Sequence, residues 1–195
     1  CYQLTLEPNT AFAARPPELP ESDVCADMQE AIEARLAASG FTHYETSAFA
    51  QPGRQCRHNL NYWTFGDYLG IGAGAHGKLT LHDGQRWEVR RQMRWKQPKQ
   101  YLAQIAKAAP VQEEFAVEAG DLPFEFMMNA LRLNQGFEPD LFAMRTSLPL
   151  ITIENELRRA EQQGLIERQP QRIAPTLHGQ RFLNRLIERF MSERG

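Results

Sequence analysis

Apolar and polar positions alternate first with a period of two and then of about four, and this pattern divides the chain into elements. Tyr2, Leu4 and Leu6 alternate with polar residues, so residues 2–6 read as a strand, ended by Glu7-Pro8-Asn9 because proline cannot donate to a ladder. Pro16-Pro17-Glu18-Leu19-Pro20 is a stiff connection. Ser22 is then placed to cap a helix, on which Val24, Met28, Ile32 and Leu36 form one stripe and Gly40 is the terminator. Residues 42–49 read as a second strand, and strand, helix, strand in this order predicts a βαβ unit with parallel strands. The apolar, small-residue run at 68–75 predicts a buried strand. Residues 79–95 alternate around Asp83-Gly84, which predicts a hairpin, and Pro98 opens a helix holding Tyr101, Leu102 and Ile105.

Composition shifts at Ala109-Pro110, which suggests one domain over residues 1–109 and a second over 110–195. In the second, Asp121 opens a helix bearing Phe124, Met127, Met128 and Leu131, stopped by Gly136. Shorter helices follow at about 139–145 and 152–163. Residues 165–168 and 172–174 make a two-stranded wing, and Thr176 caps a last helix with Leu183, Leu186, Ile187 and Phe190 inward. Three helices, a wing and a final helix spell a winged-helix-like topology. The fold class expected is therefore α/β followed by a helical, winged-helix-like domain.

Composition narrows the function without naming it. The 195 residues are 42% hydrophobic and 24% charged, with a formal net charge of −2, as in an ordinary globular protein, and the balance gives no reason to expect nucleic acid as a partner. The region in the position of a DNA-reading helix carries Glu154, Glu156 and Glu161, which would repel phosphate. No apolar run approaches a membrane span, and no basic leader precedes the first strand. Folded structure is thus expected from the first residue, as in a piece of a longer chain. Cys1, Cys25 and Cys56 are odd in number and share no metal-ligand spacing, so a reduced, cytoplasmic setting is expected, with peripheral membrane association through partners left open.

Candidate chemistry concentrates in Cys56-Arg57-His58-Asn59-Leu60-Asn61-Tyr62-Trp63. A neutral imidazole is a good axial ligand for haem iron, and Tyr62 and Trp63 could cover a porphyrin face. Asn59 could orient His58. The plainer alternative is a segment in which His58 and Asn59 satisfy backbone groups while the aromatic residues anchor it to the core. Gly72, Gly74 and Gly77 fit a G-x-G-x-x-G pattern, but a hairpin follows where a dinucleotide site needs a helix, so close backbone packing explains the glycines better.

Several stretches resemble HemW-type radical-SAM proteins, relatives of oxygen-independent coproporphyrinogen III oxidase. They are Tyr2-Gln3-Leu4-Thr5-Leu6-Glu7-Pro8-Asn9-Thr10, His43-Tyr44-Glu45-Thr46-Ser47, His58-Asn59-Leu60-Asn61-Tyr62-Trp63 and Gly70-Ile71-Gly72-Ala73-Gly74-Ala75-His76. Leu131-Arg132-Leu133-Asn134-Gln135-Gly136 resembles the C-terminal domain shared with the oxidases. The resemblance implies the last part of a radical-SAM (β/α) partial barrel ahead of the second domain. It implies S-adenosylmethionine and a four-iron cluster for the full-length protein. The cluster's C-x-x-x-C-x-x-C motif is missing here, so this stretch alone is expected to be catalytically inactive, with Thr5 nearest the adenine. The oxidases have roughly R-N-F-Q-G-Y where this chain has residues 57–63, and this sides the sequence with the haem-chaperone branch. By that implication His58 leads as haem ligand, Cys56 is second, and Tyr62 and Trp63 are packing partners. The partners implied are haem and apo-haemoproteins of the respiratory chain. The alternative is part of an oxidase that decarboxylates coproporphyrinogen III. A bare barrel edge at residues 2–6 would also favour self-association.

Overall fold

The computed structural model describes residues 4–82, 84 and 87–191, and the chain divides into two compact units, Cys1–Cys56 and Arg57–Gly195.

The first unit begins with the short helix α1 (Ala11–Ala14), whose N-terminus is capped by the Thr10 hydroxyl accepting from the Ala13 amide at 3.2 Å. Helix α2 (Ser22–Ala38) follows, with Glu21 in the N-cap position and Ser22 one residue inside. Gly40, at φ +79°, lets the chain leave α2 through a paired closure, with the Gly40 amide on the Ala37 carbonyl and the Phe41 amide on that of Leu36, both at 3.0 Å. The predicted apolar stripe is present but uncovered: no residue of α2 is buried, and Val24 and Met28 are 49% and 46% exposed.

Two expectations for this unit are corrected. Residues 42–49 are an antiparallel hairpin of β1 (Thr42–Glu45) and β2 (Ala48–Ala50), where a single parallel strand was expected. The cause is local. The Glu45 carboxylate, fully buried, accepts from the Ser47 amide at 3.3 Å and lies 3.4 Å from its hydroxyl, which folds the chain back on itself. The strand expected at 2–6 is the second. Its first two residues lie outside the described ones, and residues 4–6 join no ladder among the described residues.

The second unit begins with α3 (Arg57–Trp63) and continues into a three-stranded antiparallel sheet of β3 (His76–His82), β4 (Trp87–Arg94) and β5 (Val111–Ala116), with α4 (Pro98–Ile105) between the last two strands. The hairpin pairs His76 with Met93 and Leu79 with Arg90; its turn at Asp83-Gly84 lies partly outside the described residues. Strand β5, absent from the pattern reading, joins β4 with Phe115 opposite Arg91, so the sheet takes strands from both sides of the composition shift at 109–110. The run at 68–75 is not a buried strand: Tyr68 bridges Lys78, but Gly72 and Gly74 have φ of +110° and +70°, and Leu69 and Ile71 are 69% and 84% exposed. Those glycine conformations turn the backbone out of any ladder.

The remainder follows the predicted order. Helices α5 (Leu122–Ala130) and α6 (Pro139–Thr146), a 3-10 turn (Leu150–Ile153) and α7 (Glu154–Gln162) precede the hairpin of β6 (Ile166–Gln169) and β7 (Arg172–Pro175). The expected last helix is broken at Phe182 into α8 (Leu177–Arg181) and α9 (Leu183–Glu188). Phe126 centres the core, edge-to-face with Phe65, Phe137 and Phe142 at 5.9, 5.1 and 5.3 Å between centroids. Leu157, Ile173 and Leu186 close around them.

Candidate functional site

Helix α3 carries the residues with the most chemistry. His58 and Tyr62, four apart, share a face; their rings meet edge-on at 4.8 Å, and the His58 imidazole is exposed. Tyr62 leans on Tyr68 at 4.2 Å between centroids. The Tyr68 hydroxyl accepts from Arg91 Nη1 at 3.0 Å, and Arg91 is ion-paired with Glu125 on α5. Burial lifts the Tyr68 phenol above the ordinary tyrosine value against the pull of Arg91, so it stays protonated near neutral pH. A chain of contacts thus runs from the exposed imidazole through two phenol rings to a buried-side ion pair.

Trp63 faces elsewhere. The Arg132 guanidinium sits 5.2 Å from its ring centre, while the indole Nε1 is buried with no hydrogen-bond partner among the described residues. Asn59 is half-buried, and among the described residues no hydrogen bond joins it to His58. Consecutive helical residues point about 100° apart, which is why Tyr62 is the neighbour that steadies the imidazole. Asn61 secures the exit of α3, its Nδ2 donating to the Asp67 carbonyl at 2.9 Å. Cys56 belongs to the first unit; it is exposed, and its amide donates to the Tyr44 hydroxyl at 3.3 Å. Thr5 is exposed in the segment ahead of α1.

The pattern reading missed the groups beneath this face. Lys78, whose side chain is 1% exposed, donates to the Phe65 carbonyl at 3.0 Å and to Asp67 Oδ1 at 2.9 Å, with its Nζ 4.1 Å from the Phe65 ring centre. Burial pushes the Lys78 ammonium below the ordinary lysine value, opposed by its hydrogen bond to Asp67. Burial pushes the Asp67 carboxyl up, but bonds from Lys78 and Thr80 outweigh it and leave the carboxyl below its ordinary value. A lysine in an alternating hairpin gives no sequence signal of such burial. Among the described residues there is no group of three or more His, Cys, Asp or Glu that could hold a metal ion.

A family model described as the HemN C-terminal domain matches residues 117–182. Over 192 residues the chain is 45% identical to the heme chaperone HemW of Haemophilus influenzae and 43% identical to that of Escherichia coli, in each case over 98% of this chain. The chain belongs to the HemW family. It spans about half the length of the curated relatives it matches, 48% and 49% for these two, and corresponds to a C-terminal part of HemW. The HemW of Mycobacterium tuberculosis is 39% identical over 140 residues. Among solved structures, the coproporphyrinogen III oxidase HemN of Escherichia coli, described as a radical SAM enzyme, matches with a TM-score of 0.64 over 91% of this chain and 43% of its own. At 17% identity that likeness establishes the fold: this HemW chain has the mixed α/β architecture of the corresponding part of HemN.

No helix among the described residues of this HemW chain is long and apolar enough to cross a membrane.

Proposed function

We propose that this chain contains the haem-holding element of a cytoplasmic haem chaperone, with His58 as the iron ligand and apo-haemoproteins of the respiratory chain as recipients. The observation that carries the reading is an imidazole held open on α3 and steadied by Tyr62, in a chain whose curated relatives are named haem chaperones. An imidazole binds ferric iron through a ring nitrogen, and an adjoining aromatic surface offers a porphyrin apolar contact. Tyr62 fills that role next to His58, and Trp63, with the Arg132 guanidinium against its ring, holds the helix behind it. Cys56 is the competing ligand, since a thiolate can also hold haem iron. S-adenosylmethionine and a four-iron cluster belong, on this reading, to the full-length protein, with Thr5 contributing at the adenine edge.

The segment 110–195 is on this reading a winged-helix-like module that has no part in DNA recognition. In α7, Glu154 is held by Arg168 through two hydrogen bonds of 3.0 and 2.8 Å, which places carboxylates where a groove-reading helix needs cations.

A haemin titration followed by optical absorbance tests the haem reading, with His58→Ala and Cys56→Ser alongside. A saturable Soret shift that His58→Ala abolishes and Cys56→Ser leaves intact is expected. No shift, or one indifferent to His58, overturns the assignment.

A further inference from the structure

The last two helices carry a stripe of side chains that the haem reading leaves unused. His178, Phe182, Arg185 and Arg189 follow one another at steps of four, three and four residues, the spacing of a single helical face. The break at Phe182 keeps them in line. The Phe182 amide still donates to the His178 carbonyl at 3.0 Å, and the Leu186 amide to the Phe182 carbonyl at 3.1 Å, so helical bonds run through the junction of α8 and α9. All four residues line one cavity of about 500 Å³, whose other walls include Leu165, ahead of β6, and Gln163, at the end of α7. Its volume lies in the range of small-molecule sites, and every wall belongs to the second unit.

The stripe has an aromatic end and a cationic end. The His178 and Phe182 rings tilt together at 4.8 Å between centroids, and Phe182 is still 44% exposed, so the pair offers apolar surface to the cavity. Arg185 and Arg189, four apart, are like charges on one face and repel each other. Arg189 spends its Nη2 on Gln163 Oε1, while its Nε is buried with no acceptor among the described residues, so this guanidinium has donors to spare. Arg185 is exposed, and among the described residues no carboxylate pairs with it. Glu188 is the carboxylate among the lining residues, one negative charge against two guanidinia. An oxyanion placed between Arg185 and Arg189 would relieve their repulsion and accept from both, and guanidinium forks match carboxylate and phosphate geometry.

We propose that this cavity binds a small aromatic acid, its ring against Phe182 and Leu165 and its carboxylate or phosphate on Arg185 and Arg189. Side chains one turn apart on a helix are about 5–6 Å from each other at Cβ, which is about the span from a phenyl ring to the oxyanion it bears. The inference stands apart from the haem reading, since none of these residues belongs to α3 or to the contacts beneath it.

Titration of the nitrogen-15-labelled chain with phenylphosphate, and separately with inorganic phosphate, tests this by amide correlation spectra. Phenylphosphate is expected to give saturable shifts concentrated at residues 163–165 and 178–189, with inorganic phosphate binding more weakly. Arg185→Gln is expected to weaken phenylphosphate about tenfold, and Arg185→Lys to recover part of that loss. Arg185 is exposed and unpaired among the described residues, so its variants should keep the wild-type spectrum elsewhere, and the same spectra report whether they do. Phe182→Leu is expected to remove the preference for phenylphosphate over inorganic phosphate. Absence of saturable shifts up to about 10 mM overturns the site. Affinity indifferent to Arg185→Gln in a folded chain overturns it as well. Equal binding of the two phosphates, or a preference that survives Phe182→Leu, overturns the aromatic ligand class.

Discussion

Lys78 carries a charge to a place where 1% of its side chain meets solvent, and Asp67 makes that tolerable. The ammonium donates to a carbonyl and a carboxylate and lies over the Phe65 ring, so its loss and the loss of its partner are not equivalent. Asp67→Ala leaves a buried cation without its counter-charge. Breaking a fully buried pair in this way costs about 3–5 kcal/mol; since the Asp67 side chain is 37% exposed, about 2 kcal/mol is expected. Lys78→Met keeps the apolar stem over Phe65 and leaves Asp67 bonded to Thr80, so a smaller loss is expected, about 1 kcal/mol or less. Denaturant unfolding of the two variants checks the order, and Lys78→Met proving the more costly would refute it. The pH dependence has a definite sign. Asp67 has a folded value below its ordinary 3.8, so its contribution is complete above the unfolded value and is lost as pH falls through the folded one. Lys78, also depressed, acts at the other end: between its folded and unfolded values the unfolded chain binds the extra proton, and stability rises with pH. Asp67→Asn should flatten the acid limb, which unfolding midpoints at stepped pH would show.

Between elements, the hairpin of β6 and β7 and the last two helices are joined by one close approach and one cap. A Cβ on Gly179 would stand 1.9 Å from the Leu165 carbonyl oxygen, so α8 lies with its backbone against the start of the hairpin. Beside it, the Thr176 hydroxyl accepts from the Gly179 amide at 3.0 Å and donates to the Gly164 carbonyl at 2.6 Å. Gly179→Ala must push the helix away, at about 2–3 kcal/mol by the usual cost of overpacking, while Thr176→Ala loses a cap worth about 1 kcal/mol. Thermal or urea unfolding should rank them so; a neutral Gly179→Ala would mean that α8 is free to shift. Thr176 was legible as a cap because a hydroxyl ahead of a periodic apolar run has a local cause, and the helices from 122 onward were legible for the same reason. Gly179 was not, since His178-Gly179-Gln180 carries no sign of the strand it touches. The failures share that origin. The fold-back at 46–47 depends on where Glu45 is buried, and β5 is an edge strand whose exposed Gln112, Glu113 and Glu114 break the alternation. In the candidate site, His58 and Tyr62 were readable as a dense histidine–aromatic group and by resemblance. Tyr68 and Arg91 needed a pairing register that no local pattern encodes.

At the scale of the whole molecule, the two units differ in how much apolar surface they cover. Arg57–Gly195 has its own core around Phe126, with Leu157 and Leu186 fully buried. Helix α2 of Cys1–Cys56 buries none of its residues, and Val24, Met28, Phe12 and Leu19 are 49%, 46%, 55% and 43% exposed. Val24 and Met28, four apart on one helix, share a face, and exposed apolar side chains of this kind favour association. The surface expected to drive it is thus the stripe of α2. Light scattering should show the mean mass of this chain rising with concentration. Because the contact is apolar, the rise should persist at high salt, where association through exposed ion pairs would weaken. Val24→Glu combined with Met28→Lys should lower the mass toward the monomer without altering the far-ultraviolet spectrum, as both positions are solvent-facing on a helix whose closure at Gly40 is undisturbed. A monodisperse monomer at high concentration would sink the idea. Association that survives the double variant would move the contact to the exposed residues of the second unit, Leu102 and Phe115 among them.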